Sequence, residues 1–328
     1  MREHESYLEY ESAYDSAYDN DFNDTLQNKR GGRGKRAKKT DDRDRTGRLT
    51  EEERANLARL REDALSEADK PEGADRWSTW DDADHGPTPR PDWVIVELGA
   101  ADRELGILKT GKEADVFLLE RRGADQSCLM AAKRYRSSDH RMFHRDAGYL
   151  EGRRMRRSRE TRAMSNRSSF GRNLISEQWA TAEFGALGRL WQLGAPVPYP
   201  VQRHGTELLL EFIGDPDGTA APRLAQLRPE PDGLLDLWHQ LVQSLTLLAT
   251  EGLAHGDLSA YNLMVHHDRL ILIDLPQVVD LVANPLAESI LERDVRNVSD
   301  WFTARGLPSE VANPREVMVS LVDAAGLN

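Results

Sequence analysis

The chain has 328 residues, 30% charged and 39% hydrophobic, with a net charge of −12, enough for one large domain or two modest ones with part of the length outside any core. The acidic balance argues against nonspecific nucleic-acid binding by the whole surface. The lone Cys128 excludes an internal disulfide, no zinc-ligand cluster or apolar signal region is evident, and no apolar run reaches transmembrane length, so a cytoplasmic protein with no membrane partner is expected.

In chain order, residues 1–28 are acidic and aromatic. Tyr7, Tyr10, Tyr14, Tyr18 and Phe22 recur at helical spacing. Composition leaves two readings open, a solvated disordered tail and an aromatic stripe that forms on binding. Residues 29–39 reverse the sign, with Lys29, Arg30, Arg33, Lys35, Arg36, Lys38 and Lys39 set among glycines. They read as a flexible charged linker or as a contact for RNA phosphates. Thr50 followed by Glu51, Glu52 and Glu53 opens a helix near 50–66. The stretch 69–92, rich in Pro, Gly and Asp, reads as linker carrying Trp77 and Trp80, which could anchor it on the folded domain beyond. Residues 1–92 together are expected to be a mostly disordered charged extension.

The first folded part is expected over 93–213. Short apolar runs at 104–109, 116–120 and 127–133 predict three antiparallel strands with turns at both joints. The first joint, Gly106 to Glu113, partly matches the phosphate loop of nucleoside triphosphatases. Glu113 stands where a Mg-binding Ser or Thr is needed, however, and a strand comes next where a helix is required. A strand-loop-strand cover fits better, placing Thr110, Gly111, Lys112, Glu113 and Ala114 over phosphates. Lys133 ends the third strand, where it could pair the α- and β-phosphates or be an ordinary edge lysine. An arginine-rich insertion, 145–172, has almost no apolar periodicity and suits an anionic partner such as RNA. The helix at 176–193 buries Trp179, Ala182, Ala186, Leu187, Leu190 and Trp191. Glu183, near its middle, is the candidate carboxylate for Lys133, with Glu177 as the alternative.

The second part is expected over 214–328. A hairpin at 201–203 and 207–213 runs into Gly214-Asp215-Pro216-Asp217-Gly218, read as a hinge between two lobes. An amphipathic helix at 232–250 precedes His255-Gly256-Asp257-Leu258-Ser259-Ala260-Tyr261-Asn262. Two short apolar runs, 263–265 and 270–273, flank the turn His266-His267-Asp268 and predict a hairpin that brings Asn262 and Asp274 to one end, near Asp257. A carboxylate that receives a nucleophile's proton, then two metal ligands, is the order of parts a phosphoryl-transfer site needs. Helices are expected at 285–305 and 310–325.

The series Lys133, Glu183, hinge, Asp257, Asn262, Asp274 resembles a protein kinase with altered words. His255-Gly256-Asp257 replaces His-Arg-Asp, and Asp274-Leu275-Pro276-Gln277 replaces Asp-Phe-Gly. With Thr110-Gly-Lys-Glu-Ala114, Glu211-Phe-Ile-Gly214 and Leu291-Glu-Arg-Asp-Val-Arg-Asn-Val298, the chain looks like the RIO family of atypical serine/threonine kinases, type-1 branch. The resemblance spans about 104–306. It implies an α+β, two-lobed kinase fold, an antiparallel-sheet N-lobe (93–213) and a mainly helical, reduced C-lobe (214–328), with ATP in the cleft. Mg²⁺ is the implied metal, with Mn²⁺ as an alternative. Carried over, Thr110 to Ala114 would cover the phosphates, Lys133 would pair with them and Glu183 would hold Lys133. Glu211 and Ile213 would offer backbone hydrogen bonds to adenine, Asp257 would orient or deprotonate the acceptor, and Asn262 and Asp274 would hold the metal. Pro276 departs from the family pattern and removes a backbone donor.

The stretch after Asp274 contains no Ala-Pro-Glu motif, so the resemblance implies a kinase core without standard peptide docking. Glycine at 256 removes the usual receiver of an activation-loop phosphate. The implied partners are ATP, an unidentified protein acceptor, and a ribosomal subunit or RNA reached through 29–39 and 145–172, with ATP hydrolysis as an alternative main activity. A small-molecule phosphotransferase of the aminoglycoside-kinase kind shares the His-Gly-Asp-x-x-x-x-Asn loop. A nucleotide-switched ribosome- or RNA-binding module with vestigial catalysis is the third reading.

Overall fold

The computed structural model describes residues 70–136, 169–275, 278–282, 284 and 286–327. The acidic and basic stretches of 1–69, the expected helix near 50–66, most of the arginine-rich insertion and Pro276 lie outside the described residues.

A seven-stranded antiparallel sheet and a group of helices form the α+β arrangement expected. In chain order the sheet strands are β1 (Arg76–Trp77), β2 (Asp84–His85), β3 (Ala101–Thr110), β4 (Ala114–Arg122), β5 (Ser127–Tyr135), β6 (Pro200–His204) and β7 (Glu207–Glu211). They lie side by side as β1-β3-β4-β5-β7-β6-β2. β1 and β2 sit at opposite margins although only the connection from Trp77 to Asp84 joins them, a reach of at most about 25 Å. Seven flat strands would set those margins roughly 29 Å apart. The sheet must therefore curl, and the segment between β1 and β2 crosses its opening.

This corrects the reading of 69–92 as linker. Trp80, in that crossing segment, is 6% exposed and packs with Leu119, Met130, Tyr199, Val201 and Leu209. Its ring stacks on His85 at 3.8 Å, while the His85 imidazole bonds the Trp80 carbonyl. Two-residue strands with polar members carry no alternation pattern, so the composition looked like a linker. A polar chain fills the same interior. Arg121, fully buried, donates to both oxygens of Asp102 (2.7 and 3.0 Å) and to Gln202 (2.8 Å), whose amide donates to Thr79 of the crossing segment. A buried guanidinium is tolerable only with such complete pairing.

Helix α1 (Ser169–Gln192) packs on the sheet. It is already helical at Ser169, the first residue described after 136, seven residues before the expected start and inside the span read as insertion. The chain then leaves β7 through 214–218. That segment, read as a hinge, closes on itself as a tied loop, with Asp215 N–H donating to Thr219 O and Gly218 N–H to Asp215 O, both at 2.9 Å.

Beyond it, α2 (Pro231–Thr250) buries Leu234, Leu237, Trp238, Leu241, Leu245 and Leu248 on one face. Proline at the first turn favours its start, and Gly252, at φ +69°, takes the left-handed conformation that ends it. A short pair, β8 (Leu253–Ala254) with β11 (Val279–Asp280), brackets the hairpin β9 (Leu263–His266) and β10 (Arg269–Leu272). Helices α3 (Ala287–Ala304) and α4 (Pro314–Ala324) complete the core, with Ile290, Val298 and Phe302 of α3 buried. Among the described residues no helix is long and apolar enough to cross a membrane.

Candidate active site

A cleft of about 960 Å³ lies between sheet and helices. Its apolar wall includes Val116, Ala131, Leu210, Ile213, Ala221 and Met264, and its polar end includes Lys133, Glu183, Asn262 and Asp274. The polar end assembles from elements distant in sequence. Lys133 lies on β5, paired through the backbone with Val116 of β4 and Leu208 of β7. Its Nζ donates to Glu183 Oε1 of α1 at 2.6 Å and to Asp274 Oδ1 at 2.8 Å. Burial disfavours a charged lysine, but the two carboxylates more than reverse that and raise its pKa. Burial likewise works against ionised Asp274, yet Lys133 beside it brings the pKa down to about 2. Glu177, the alternative partner, bonds Thr181 through its backbone carbonyl, one turn on within α1.

Tyr135, missed in the sequence, donates its hydroxyl to the other Glu183 oxygen. Burial and then the Glu183 charge push the phenol's pKa well up, so it remains a donor. The available signal was its spacing, two residues after Lys133 and so on the same face of the strand.

The loop from His255 to Asn262 is built by the backbone. Gly256 sits at φ +86°, where a side chain would be strained, which accounts for glycine at this position. The Asp257 N–H donates to His255 Nδ1 at 3.3 Å, so Nε2 carries the proton and donates to Ile273 O at 3.2 Å. The Asn262 amide nitrogen donates to Asp257 O at 2.8 Å and faces Asp257 Oδ2 at 3.4 Å, leaving its oxygen as the atom able to ligate. The Ile273 N–H donates to Asn262 O at 3.0 Å, which ties this loop to the segment carrying Asp274. Asp274 itself adopts φ +65°, a conformation rare outside glycine. Asp257 is open to solvent on one side, while protein crowding its other side raises its pKa by desolvation.

Sequence reading also missed what holds this loop. Asp294 of α3, 1% exposed, accepts from Gly256 N–H at 2.8 Å and Leu258 N–H at 3.1 Å. Arg293 donates to Gly256 O, and Asn297 to Leu258 O at 3.2 Å. The signal was an aspartate four residues from Ile290 and Val298 on the buried stripe of an otherwise apolar helix face.

The expected phosphate cover, 110–114, is a tight turn. β3 ends at Thr110 and β4 begins at Ala114, with Gly111 N–H donating to Ala114 O at 2.9 Å. Lys112 is exposed, and Lys109 and Arg223 bring further cations to the cleft wall. At the opposite end, Glu211 and Ile213 line the cleft beside Phe212. The Glu211 carboxylate accepts from Tyr199 N–H at 2.9 Å, and the Ile213 carbonyl accepts from Ala221 N–H at 3.0 Å.

A family model described as the RIO domain matches residues 123–315, so the cover turn lies outside the matched range. The chain is 34% identical to the RIO-type serine/threonine-protein kinase Rio1 of Haloferax volcanii, over 66% of this chain and 69% of that protein. It is 30% identical to the serine/threonine-protein kinase RIO1 of Saccharomyces cerevisiae, over 65% of this chain and 46% of that one. The human serine/threonine-protein kinase RIO3 is 28% identical, over 72% of this chain and 44% of its own length. The chain thus spans about half the length of the eukaryotic relatives it matches. With a kinase-like lysine, two carboxylates and an asparagine gathered at one cleft, and a family match over most of the folded part, the chain belongs to the RIO family of serine/threonine protein kinases.

Proposed function

We propose that the cleft binds ATP with Mg²⁺, or Mn²⁺ in its place, and that Asp257 directs the γ-phosphate to a serine or threonine hydroxyl or to water. The observation that carries this reading is Lys133 held between Glu183 and Asp274, one segment away from the Asp257–Asn262 loop. The donors suit the missing groups. An apolar wall of this volume can take a purine, and an asparagine oxygen beside a carboxylate is the hard-oxygen set that Mg²⁺ takes together with phosphate oxygens. The bound metal would neutralise charge on the transferring phosphoryl group.

The protein's own residues do the rest. Lys133 is kept charged and pointed into the cleft to hold phosphate oxygens. Glu183, fixed in turn by Tyr135, stops Lys133 from collapsing onto Asp274 alone. Thr110, Gly111, Lys112, Glu113 and Ala114 cover the phosphates, and the backbone of Glu211 and Ile213 meets the adenine edge. Asn262 holds the Asp257 main chain while ligating through its oxygen. Asp257 receives the hydroxyl proton, and its solvent-open side is where an acceptor enters.

The test is ATP turnover with and without a protein acceptor. Asp257→Ala is expected to lower kcat by about 10²–10⁴-fold while ATP still binds. Asp274→Ala should abolish metal-dependent turnover. ATP binding with unchanged turnover in both variants would overturn the assignment, and turnover without acceptor labelling would favour ATP hydrolysis as the main activity. The pH profile adds a check. A base works only when deprotonated, so kcat should fall as pH drops through a pKa above the ordinary aspartate value of about 3.9. Asp274, at about 2, stays ionised across that range.

A role on the small ribosomal subunit, reached through 29–39 and 145–172, is part of the same proposal. Removing residues 1–69 should weaken binding to purified subunits and leave the sheet intact. Unchanged binding would retire the contribution of 29–39.

A further inference from the structure

Outside the nucleotide cleft, folding gathers a second set of donors, although the sequence showed no metal-ligand spacing. Asp215 lies in the tied loop after Gly214, and His266 and His267 lie at the tip of the β9–β10 hairpin. His266 Nε2 is 3.4 Å and His267 Nε2 is 4.0 Å from the same oxygen, Asp215 Oδ1. All three ligand atoms fall within 4.8 Å of one another. Zinc binds such nitrogen and oxygen donors at about 2.0–2.2 Å, which in a tetrahedron sets the donors roughly 3.3–3.5 Å apart. The 3.4 Å spacing matches that edge, the 4.0 Å spacing closes onto it with a small turn of the exposed His267 side chain, and both are long for hydrogen bonds from imidazole to carboxylate.

The donors are also held in place. Gln240 of α2 donates to Asp268 O at 2.7 Å and accepts from Leu270 N–H at 2.9 Å, gripping the turn and the strand that leaves it. His267 and Asp268 adopt φ of +49° and +59°, the left-handed pair of a two-residue turn, which brings the two imidazoles side by side with ring centroids 4.0 Å apart. The Asp215 loop is fixed by its own backbone bonds to Thr219 and Gly218. Asp215 and His267 are 52% and 77% exposed at the side chain, so an ion can arrive from solvent and keep water in a fourth position.

We propose that Asp215, His266 and His267 form a binding site for a borderline divalent transition cation of the Zn²⁺ class. Two imidazoles select against Mg²⁺, which takes oxygen donors, so the site is chemically separate from any metal held with nucleotide. A bound ion links the loop beyond the cleft-lining Ile213 to the hairpin whose Met264 lines the same cleft. The site is defined by the placement of these three donors and not by what the cleft binds.

The experiment uses the full chain, stripped of metal, titrated with Co²⁺ by visible absorption and with Zn²⁺ by calorimetry and thermal melting. One tight equivalent is expected, with tetrahedral Co²⁺ bands, displacement by Zn²⁺ and a raised Tm. Asp215→Asn should weaken binding by more than about 10-fold. His266→Gln combined with His267→Gln should remove the tight equivalent and the bands. These side chains are partly or mostly solvent-exposed, so the variants are expected to fold, and matched circular dichroism is the check. The chain has nine histidines in all, so a tight equivalent that survives the double variant would place the metal elsewhere and overturn the proposal. Displacement of Co²⁺ by equimolar Mg²⁺ would also overturn it.

Discussion

Two turns face each other across the cleft and are built on opposite plans. The loop from His255 to Asn262 is held from outside by Asp294, Arg293 and Asn297 of α3, and from within by His255 and Asn262. The cover turn from Thr110 to Ala114 has the Gly111–Ala114 backbone bond and a bond from Arg136 N–H to Glu113 O at 2.9 Å. Beside it, the Arg136 guanidinium grips Asp115 at 2.6 and 2.8 Å. On the proposed reading Asp257 accepts a proton, which needs a fixed carboxylate with its geometry set in advance. A cover over phosphates must admit and release nucleotide, and a turn tied to the strands it joins, with Asp115 accepting from Thr110 and Gly111, can move with them.

The contrast between the turns breaks most sharply at Asp294. Asp294→Ala leaves the buried N–H groups of Gly256 and Leu258 without their acceptor, and should cost about 2–5 kcal/mol in urea unfolding together with most turnover. A loss of turnover with unchanged stability would mean that the loop is not held from α3. Next in size is Glu183→Gln, which keeps the shape and removes the charge beside Lys133. It should lower kcat/KM for ATP by about 10–100-fold, the scale of one hydrogen bond to a charged group. The smallest effect belongs to the cover. In Gly111→Ala the new Cβ would lie 2.9 Å from Ala114 O, so the turn must shift. KM for ATP should rise about 2–5-fold, with a stability loss of about 1 kcal/mol because the atom met is backbone, smaller than that of Asp294→Ala. A stability loss as large as that of Asp294→Ala would show that the two turns are equally rigid.

What could be read from the sequence divides along the same line. Asp257, Asn262 and Asp274 stand out because their spacing is local, and the two apolar runs between them predict the hairpin that joins their ends. Lys133 and Glu183 were legible as types at suitable places in a strand and a helix, but their 2.6 Å contact joins residues fifty positions apart, which no periodicity encodes. Asp294 was hidden because a charged residue on a helix is ordinarily read as solvent-facing. Arg121 and Asp102 were hidden for the same reason on strands. The donors at Asp215 and His266 lie 51 positions apart and come together only once β7 and β9 are in place.

The segment crossing the opening of the curled sheet has a colloidal consequence. It places a two-residue strand against β3 on one margin and against β6 on the other, the short polar kind of border that discourages recruitment of a neighbouring chain. A chain begun at residue 93 would keep every residue that lines the cleft. It would also lose two backbone residue pairs at each margin, with Ala101 and Asp102 of β3 and with Gln202 and Arg203 of β6, and expose the apolar surface that Trp80 covers. Such a fragment is expected to self-associate with rising concentration, with its catalytic residues unaltered.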